Sequence, residues 1–344
     1  MKARKLFVVL MVVAVLTAMA VVPATAADKP IKWKVQAMWG AGELIYKTFV
    51  EFCKDVEIMT NGRLVMQPLP AGTIVPTFEL LEAVQDNVVQ AMNSGSGYYS
   101  GKDPGAAVLN DLIYGFNEPW EMEAWFYYGG GKELYNEFYN RFGLTCIGVV
   151  QWGHESFPSK FPIQSMADYK GRKFRSPQGM TADLLAKLGA GVVILPGGEV
   201  YSALDKGVVD GTDWGTPSMN VRLGFHQVCK YFIYPEYRSM PISDFSVNTD
   251  EWNKLPEDIK LILTRAVRAW NQNTLQQVHV EDREAVLTWE ARGGQATTWP
   301  KEEVDKMRDF VRKNVWPEWA KKSPFAGKVM ESQLNWLKKI GTIK

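Results

Sequence analysis

The side chains best placed to do chemistry lie between Gly171 and Gly215, in GRKFRSPQGM and the run from it to Asp213-Trp214-Gly215. Arg175 follows Phe174 in the short alternating stretch KFRS and precedes Pro177 and Gly179, so it sits where a strand gives way to a loop. A guanidinium there can clamp a carboxylate through two parallel hydrogen bonds, which lysine cannot reproduce. Taken alone, Arg175 reads more readily as a surface arginine in an ion pair. Asp213 and Trp214 set an acid beside an indole at the end of a second strand. The combination suits the holding of a small carboxylate, and nothing in the segment is built to attack one.

Signatures of catalysis are missing elsewhere too. There is no G-x-S-x-G elbow, no H-E-x-x-H and no S-x-x-K with its partner motifs. Ser94-Gly95-Ser96-Gly97 reads as a flexible loop beside a cleft, and Gly129-Gly130-Gly131-Lys132 lacks Walker spacing and reads as a turn leading into a helix. His154, His226 and His279 are far apart, and no Cys-His cluster has zinc spacing. Of the three cysteines, Cys53 and Cys146 read as buried thiols, while Cys229 is left able to pair with either.

The elements that must position these residues follow an alternating pattern. IKWKVQAM reads as a strand, and a helix from about Glu43 to Thr60 stops at Asn61-Gly62, residues suited to a left-handed cap. RLVMQPL is the next strand, and strands alternate with helices to about residue 240, which argues for α/β architecture with mainly parallel sheets. Ala83–Ser94 and Ala203–Trp214 align without gaps at an offset of 120, each as helix end, tight turn, Val-Val strand and polar loop. A generic unit explains the match as well as duplication does. Read functionally, it makes Asn93 and Asp213 counterparts at strand ends on opposite sides of one cleft. After Pro256 no Gly or Pro occurs before Gly293, and apolar residues recur at helical spacing. A helix from 256 to 292 would span about 55 Å, so it must kink, brace two lobes or reach a second subunit.

Residues 1–26 read as a cleaved export signal, with Lys2, Arg4 and Lys5, an apolar run from Leu6 to Val22, and Ala24-Thr25-Ala26 before the cut. This predicts a periplasmic location. The chain has 39 Lys and Arg, three of them in that leader, against 38 Asp and Glu. Such a balance argues against nucleic acid as a partner. The length after the leader suggests two lobes: 27–150, completed by about 240–255, and 151–239, with 256–344 as helices bracing the lobes or a dimer.

The chain resembles the extracytoplasmic solute receptors of tripartite ATP-independent periplasmic (TRAP) transporters, closest to the branch that binds 2-oxo acids and lactate. The likeness is carried by GRLVMQPLPAGTIVPTFELLEAVQDNVVQAMNSGSGYYSGKDP, by Gln151, GRKFRSPQGM, LPGGEVYSALDKGVVDGTDWG and by LGFHQVCKYFIYP. It implies a two-lobed periplasmic-binding-protein fold of type II kind, a non-enzymatic role, and delivery of a small organic acid to membrane permease subunits. Arg175 then binds the ligand carboxylate, with Gln151, Asp213, Trp214, Tyr98, Tyr99, Asn93, Trp39 and Arg238 as further ligand-binding candidates and Trp152 in the apolar wall. In that branch a cation, Na⁺ or Ca²⁺, bridges ligand and protein, and Gln151, Asp213 and Trp214 match three of its ligands. The fourth is open: Glu236 supplies it, or Arg238 falls in that place and its charge replaces the metal or meets a second anionic group. The resemblance also implies a homodimer through the long C-terminal helix. Two rival readings stand beside it, a ligand-sensing subunit of a signalling protein and a secreted organic-acid lyase or hydrolase.

Overall fold

The computed structural model describes residues 29–235 and 239–343. The expected leader, Glu236 and Arg238 lie outside the described residues. The chain begins with β1 (Ile31–Ala37), α1 (Leu44–Met59), β2 (Leu64–Leu69), α2 (Leu80–Gln85) and β3 (Ala91–Ser94). In β1 the alternation of Trp33 and Val35 inward with Lys32 and Lys34 outward lays one apolar face on α1. That helix answers with Ile45, Phe49, Phe52 and Val56, one stripe at helical spacing. It ends at Asn61 and Gly62, both left-handed (φ 53° and 72°), with the Gly62 N–H donating to the Glu57 carbonyl at 2.8 Å.

The chain continues with α3 (Gly105–Asn110), α4 (Pro119–Tyr128), α5 (Gly131–Tyr139) and β4 (Leu144–Gln151). Past β4 it crosses into a second sheet through β5 (Phe157–Ser159), β6 (Lys173–Ser176), α6 (Met180–Lys187), β7 (Gly191–Ile194), α7 (Val200–Asp205), β8 (Gly211–Thr212), α8 (Pro217–Arg222) and β9 (Tyr231–Ile233). It returns with β10 (Ile242–Asn248) and α9 (Thr249–Asn253), and ends with α10 (Glu257–Ala291), β11 (Gln295–Thr297), α11 (Lys301–Asn314), α12 (Trp316–Lys321) and α13 (Pro324–Lys339). The two sheets run β2-β1-β3-β10-β4 and β11-β9-β5-β8-β6-β7.

The α/β architecture is as expected, but the sheets are mixed rather than mainly parallel. β10 inserts between β3 and β4 antiparallel to both, and β5 is antiparallel to β8 and β9. The aligned segments form the same local unit. After α2 and after α7 the chain turns through left-handed Asn87 and Gly207, with Val88 and Val208 donating to Ala83 and Ala203 at 2.8 and 2.9 Å.

The long helix α10 has 35 residues and spans about 52 Å. It packs on α1 and β4 of the first lobe, then on α8 and β11 of the second. Trp270 stacks on Phe52 at 4.7 Å and donates to the Thr48 hydroxyl at 3.1 Å, while Trp289 stacks on Phe232 at 4.4 Å. Of the three outcomes open to it, the helix takes that of a brace across both lobes. Cys53, Cys146 and Cys229 are all free and buried, so Cys229 pairs with neither of the others. Among the described residues, no helix is long and apolar enough to cross a membrane.

Candidate ligand-binding site

A cleft of about 810 Å³ opens between the lobes. The first lobe lines it with Trp39 and Glu43, from the turn joining β1 to α1, and with Gly95, Gly97 and Tyr98 after β3. Trp152 and Glu155 come from the crossing that follows β4, and Ser239 from the crossing back. The second lobe contributes Arg175, the Pro177–Gly179 loop with Met180 and Thr181 at the start of α6, and Asp213–Gly215.

Arg175 is the third residue of β6, paired with Val193 of β7 and Thr212 of β8, so both neighbouring strands fix its backbone. Its side chain is wholly buried. Nε and Nη2 donate to the Leu195 carbonyl at 2.9 and 2.6 Å, and Nη1 donates to the Asp213 carbonyl at 2.6 Å. The guanidinium lies 4.9 Å from the Trp214 ring centre, a cation–π contact. An arginine has five N–H donors, so these main-chain acceptors leave it two. Among the described residues no carboxylate lies within 4.0 Å of it, although Asp213 is next in the wall. From the other lobe, Tyr98 brings its hydroxyl to the guanidinium. Burial pushes the Tyr98 phenol above its ordinary range, and the Arg175 charge pulls it back in part.

Three acids that the sequence reading did not single out share this cleft. Glu155 accepts from the Gly215 N–H at 3.0 Å and the Ser239 hydroxyl at 3.2 Å. Burial pushes its carboxyl well above the ordinary range, as do the charges of Asp213 and Asp111 and a hydrogen bond shared with Asp213. Asp111 accepts from the Ser239 hydroxyl at 2.8 Å, and burial raises it to about 7. Glu43 accepts from the Gly40 N–H at 2.7 Å, and burial raises it also to about 7. Each is a single acid in an apolar context (WGHES, LNDLIYG, WGAGEL), and that oddity was the only signal in the sequence.

The other expected residues divide. Trp39 lines the cleft edge-on to Trp152, with ring centres 6.0 Å apart. Asp213 is nearly buried, with the Ser176 hydroxyl donating to its carboxylate at 3.4 Å. Tyr99 and Asn93 are corrections, because both stand behind the wall. Tyr99 points into the first lobe's core, its hydroxyl 3.5 Å from the Met92 sulfur and its ring edge-on to Tyr139. The Asn93 amide donates to the Ser243 hydroxyl and the Asp244 carbonyl, each at 3.1 Å, so it ties β3 to β10 instead of facing Asp213. Gln151 is buried and does not line the cleft. Its N–H donates to the Asn271 side chain at 2.8 Å, while neither amide atom of its own side chain has a hydrogen-bond partner among the described residues. In the glycine-serine turn, Ser94 and Ser96 are buried and the Ser96 hydroxyl donates to the Ala106 carbonyl at 3.0 Å, so neither is an exposed nucleophile.

Two lobes around a cleft are the architecture of solute-binding proteins. Residues 35–322 match the family described as bacterial extracellular solute-binding protein, family 7, and the chain belongs to that family. It is thus a receptor of the TRAP type and not an enzyme. It is 30% identical over 304 residues to a monocarboxylate 2-oxoacid-binding periplasmic protein of a Nostoc species, covering 84% of this chain and 83% of that one. A TRAP periplasmic solute-binding protein from Colwellia psychrerythraea, solved with bound calcium and pyruvate, is similar at 28% identity and a TM-score of 0.82, over 91% of this chain and 96% of its own. One from Bordetella bronchiseptica, a mixed-occupancy dimer with copurified calcium and picolinate, is similar at 25% identity and a TM-score of 0.81, over 91% and 93%.

Proposed function

We propose that this receptor captures a small organic acid, a 2-oxo or 2-hydroxy carboxylate, with its carboxylate on Arg175, and delivers it to the membrane subunits of a TRAP transporter. The observation that carries the reading is the wholly buried guanidinium, whose two donors not taken by main-chain carbonyls meet only the Tyr98 hydroxyl, with no carboxylate within ion-pair distance among the described residues. A buried charge is costly unless paired, and a ligand carboxylate supplies the missing partner through a two-point hydrogen bond. Trp39, Tyr98 and Trp152 supply an apolar surface for the rest of the ligand. Arg175 belongs to one lobe and Tyr98 to the other, so an acid touching both favours the closed state by its differential affinity.

The residues suit a hard cation beside the ligand. Asp213 and the Trp214 carbonyl offer oxygen donors, and the Gln151 amide, buried outside the cleft lining with no hydrogen-bond partner among the described residues, would be a third. When bound, the cation supplies positive charge to the ligand's oxygens. Glu236, the candidate for the fourth position, and Arg238, whose charge would replace the metal, precede Ser239 of the cleft in sequence. Export by the leader places the receptor in the periplasm, and the exposed side of α10 is the face for a homodimer.

The test is mass spectrometry of the acid that copurifies with the native protein, followed by calorimetry with pyruvate, lactate and larger 2-oxo acids. One site per chain filled without turnover is the expected result. A ligand lacking any carboxylate would overturn the reading.

A further inference from the structure

Arg175 and Trp214 come from different strand ends, and one loop brings both into register. Leu195, just after β7, gives its carbonyl to two nitrogens of the guanidinium. Two residues further on, Gly197 lies against the indole. A β-carbon there would stand 2.0, 2.6 and 2.7 Å from Cη2, Cζ3 and Cζ2 of Trp214. These separations are far below the ~3.5–4.0 Å of an optimal carbon–carbon contact. The indole therefore occupies the space that any side chain at 197 would need. Gly197 is not in the left-handed region, so its backbone does not require glycine, and the requirement comes from the ring alone. The adjacent Gly198 differs: beyond its chain neighbours, no atom of the described residues lies within 4 Å of where its β-carbon would stand.

We propose that Gly197 is a positioning residue for ligand recognition. By leaving room for the Trp214 ring, it seats the indole against the guanidinium, and the Leu195 carbonyl of the same loop fixes the other side of Arg175. The two remaining N–H groups are then held in one orientation before the ligand arrives, and affinity gains from that preorganisation. The inference rests on Arg175 as the carboxylate clamp.

The test compares Gly197→Ala, Gly198→Ala, Trp214→Phe, the Gly197→Ala/Trp214→Phe double variant and Arg175→Lys by calorimetry with pyruvate, alongside ligand-free melting temperatures. Loss of one cation–π contact predicts a roughly 2- to 30-fold weaker affinity for Gly197→Ala, with Gly198→Ala unchanged. Phenylalanine lacks the ring atoms that a β-carbon at 197 would strike. Adding Gly197→Ala to Trp214→Phe should therefore weaken binding no further, and that pair also answers the question if Gly197→Ala alone folds poorly. A structural role would lower the melting temperature and leave affinity intact. Wild-type affinity in Gly197→Ala, or an equal loss on both backgrounds, overturns the proposal. Unchanged binding in Arg175→Lys instead removes the clamp itself.

Discussion

Replacing Arg175 by lysine keeps the charge and removes the fork, which separates simple electrostatic attraction from shaped recognition. In the structure the guanidinium spends three N–H groups on the Leu195 and Asp213 carbonyls and keeps two. An ammonium has three N–H groups on one nitrogen, and the two carbonyls claim two of them. One ligand hydrogen bond of the charge-assisted kind is lost, worth about 1.5–3 kcal/mol, and so is the planar contact on Trp214, about 0.5–2 kcal/mol. Allowing for partial compensation, affinity for a 2-oxo acid should fall roughly 30- to 1,000-fold. The ligand-free protein should lose much less, since the variant still satisfies both carbonyls. Calorimetry measures the first quantity and thermal melting without ligand the second. A fall of less than about threefold would refute the reasoning, because a buried clamp cannot be exchanged so cheaply.

Two other expectations concern pH and metal. Asp244 is wholly buried, accepts from the Tyr139 hydroxyl at 2.8 Å and from Ser246, and is raised by burial from its ordinary 3.8 to about 7. The folded protein keeps this proton where the unfolded chain has lost it, so stability falls as pH rises from about 4 to about 7, by up to about 4 kcal/mol. Asp244→Asn should therefore gain on the wild type across that window in urea titrations, and a gap that does not change with pH would contradict the sign. Calcium chelation at low sodium should weaken pyruvate binding, with Gln151→Ala mimicking the loss. Full affinity after both treatments would eliminate the cation.

The sequence was most readable where one stretch of chain decides the outcome. α1 and its Asn61-Gly62 stop, the long helix without Gly or Pro, and the strand end at Arg175 are local features of pattern and punctuation. The mixed sheets were not readable, because β10 reaches its place between β3 and β4 from far along the chain. Asn93 and Tyr99 were misplaced for a related reason. β3 is four residues long and buried throughout, so alternation cannot say which side faces the cleft. In the turn after it, adjacent Tyr98 and Tyr99 go to opposite sides. Glu43, Asp111 and Glu155 belong to three separate segments, and only folding makes them neighbours of one cleft.

The interleaved strand order also constrains when the protein can become itself. β4 has no partner in its sheet until β10 has been made, because β10 separates it from β3. β11, at the edge of the other sheet, follows the whole of α10, and α13 then returns to cover α3, α4 and α5. A chain synthesised from its N-terminus thus cannot finish one lobe and then begin the next. Such long-range pairing is slow to form. The nascent receptor stays incomplete until nearly all of it exists.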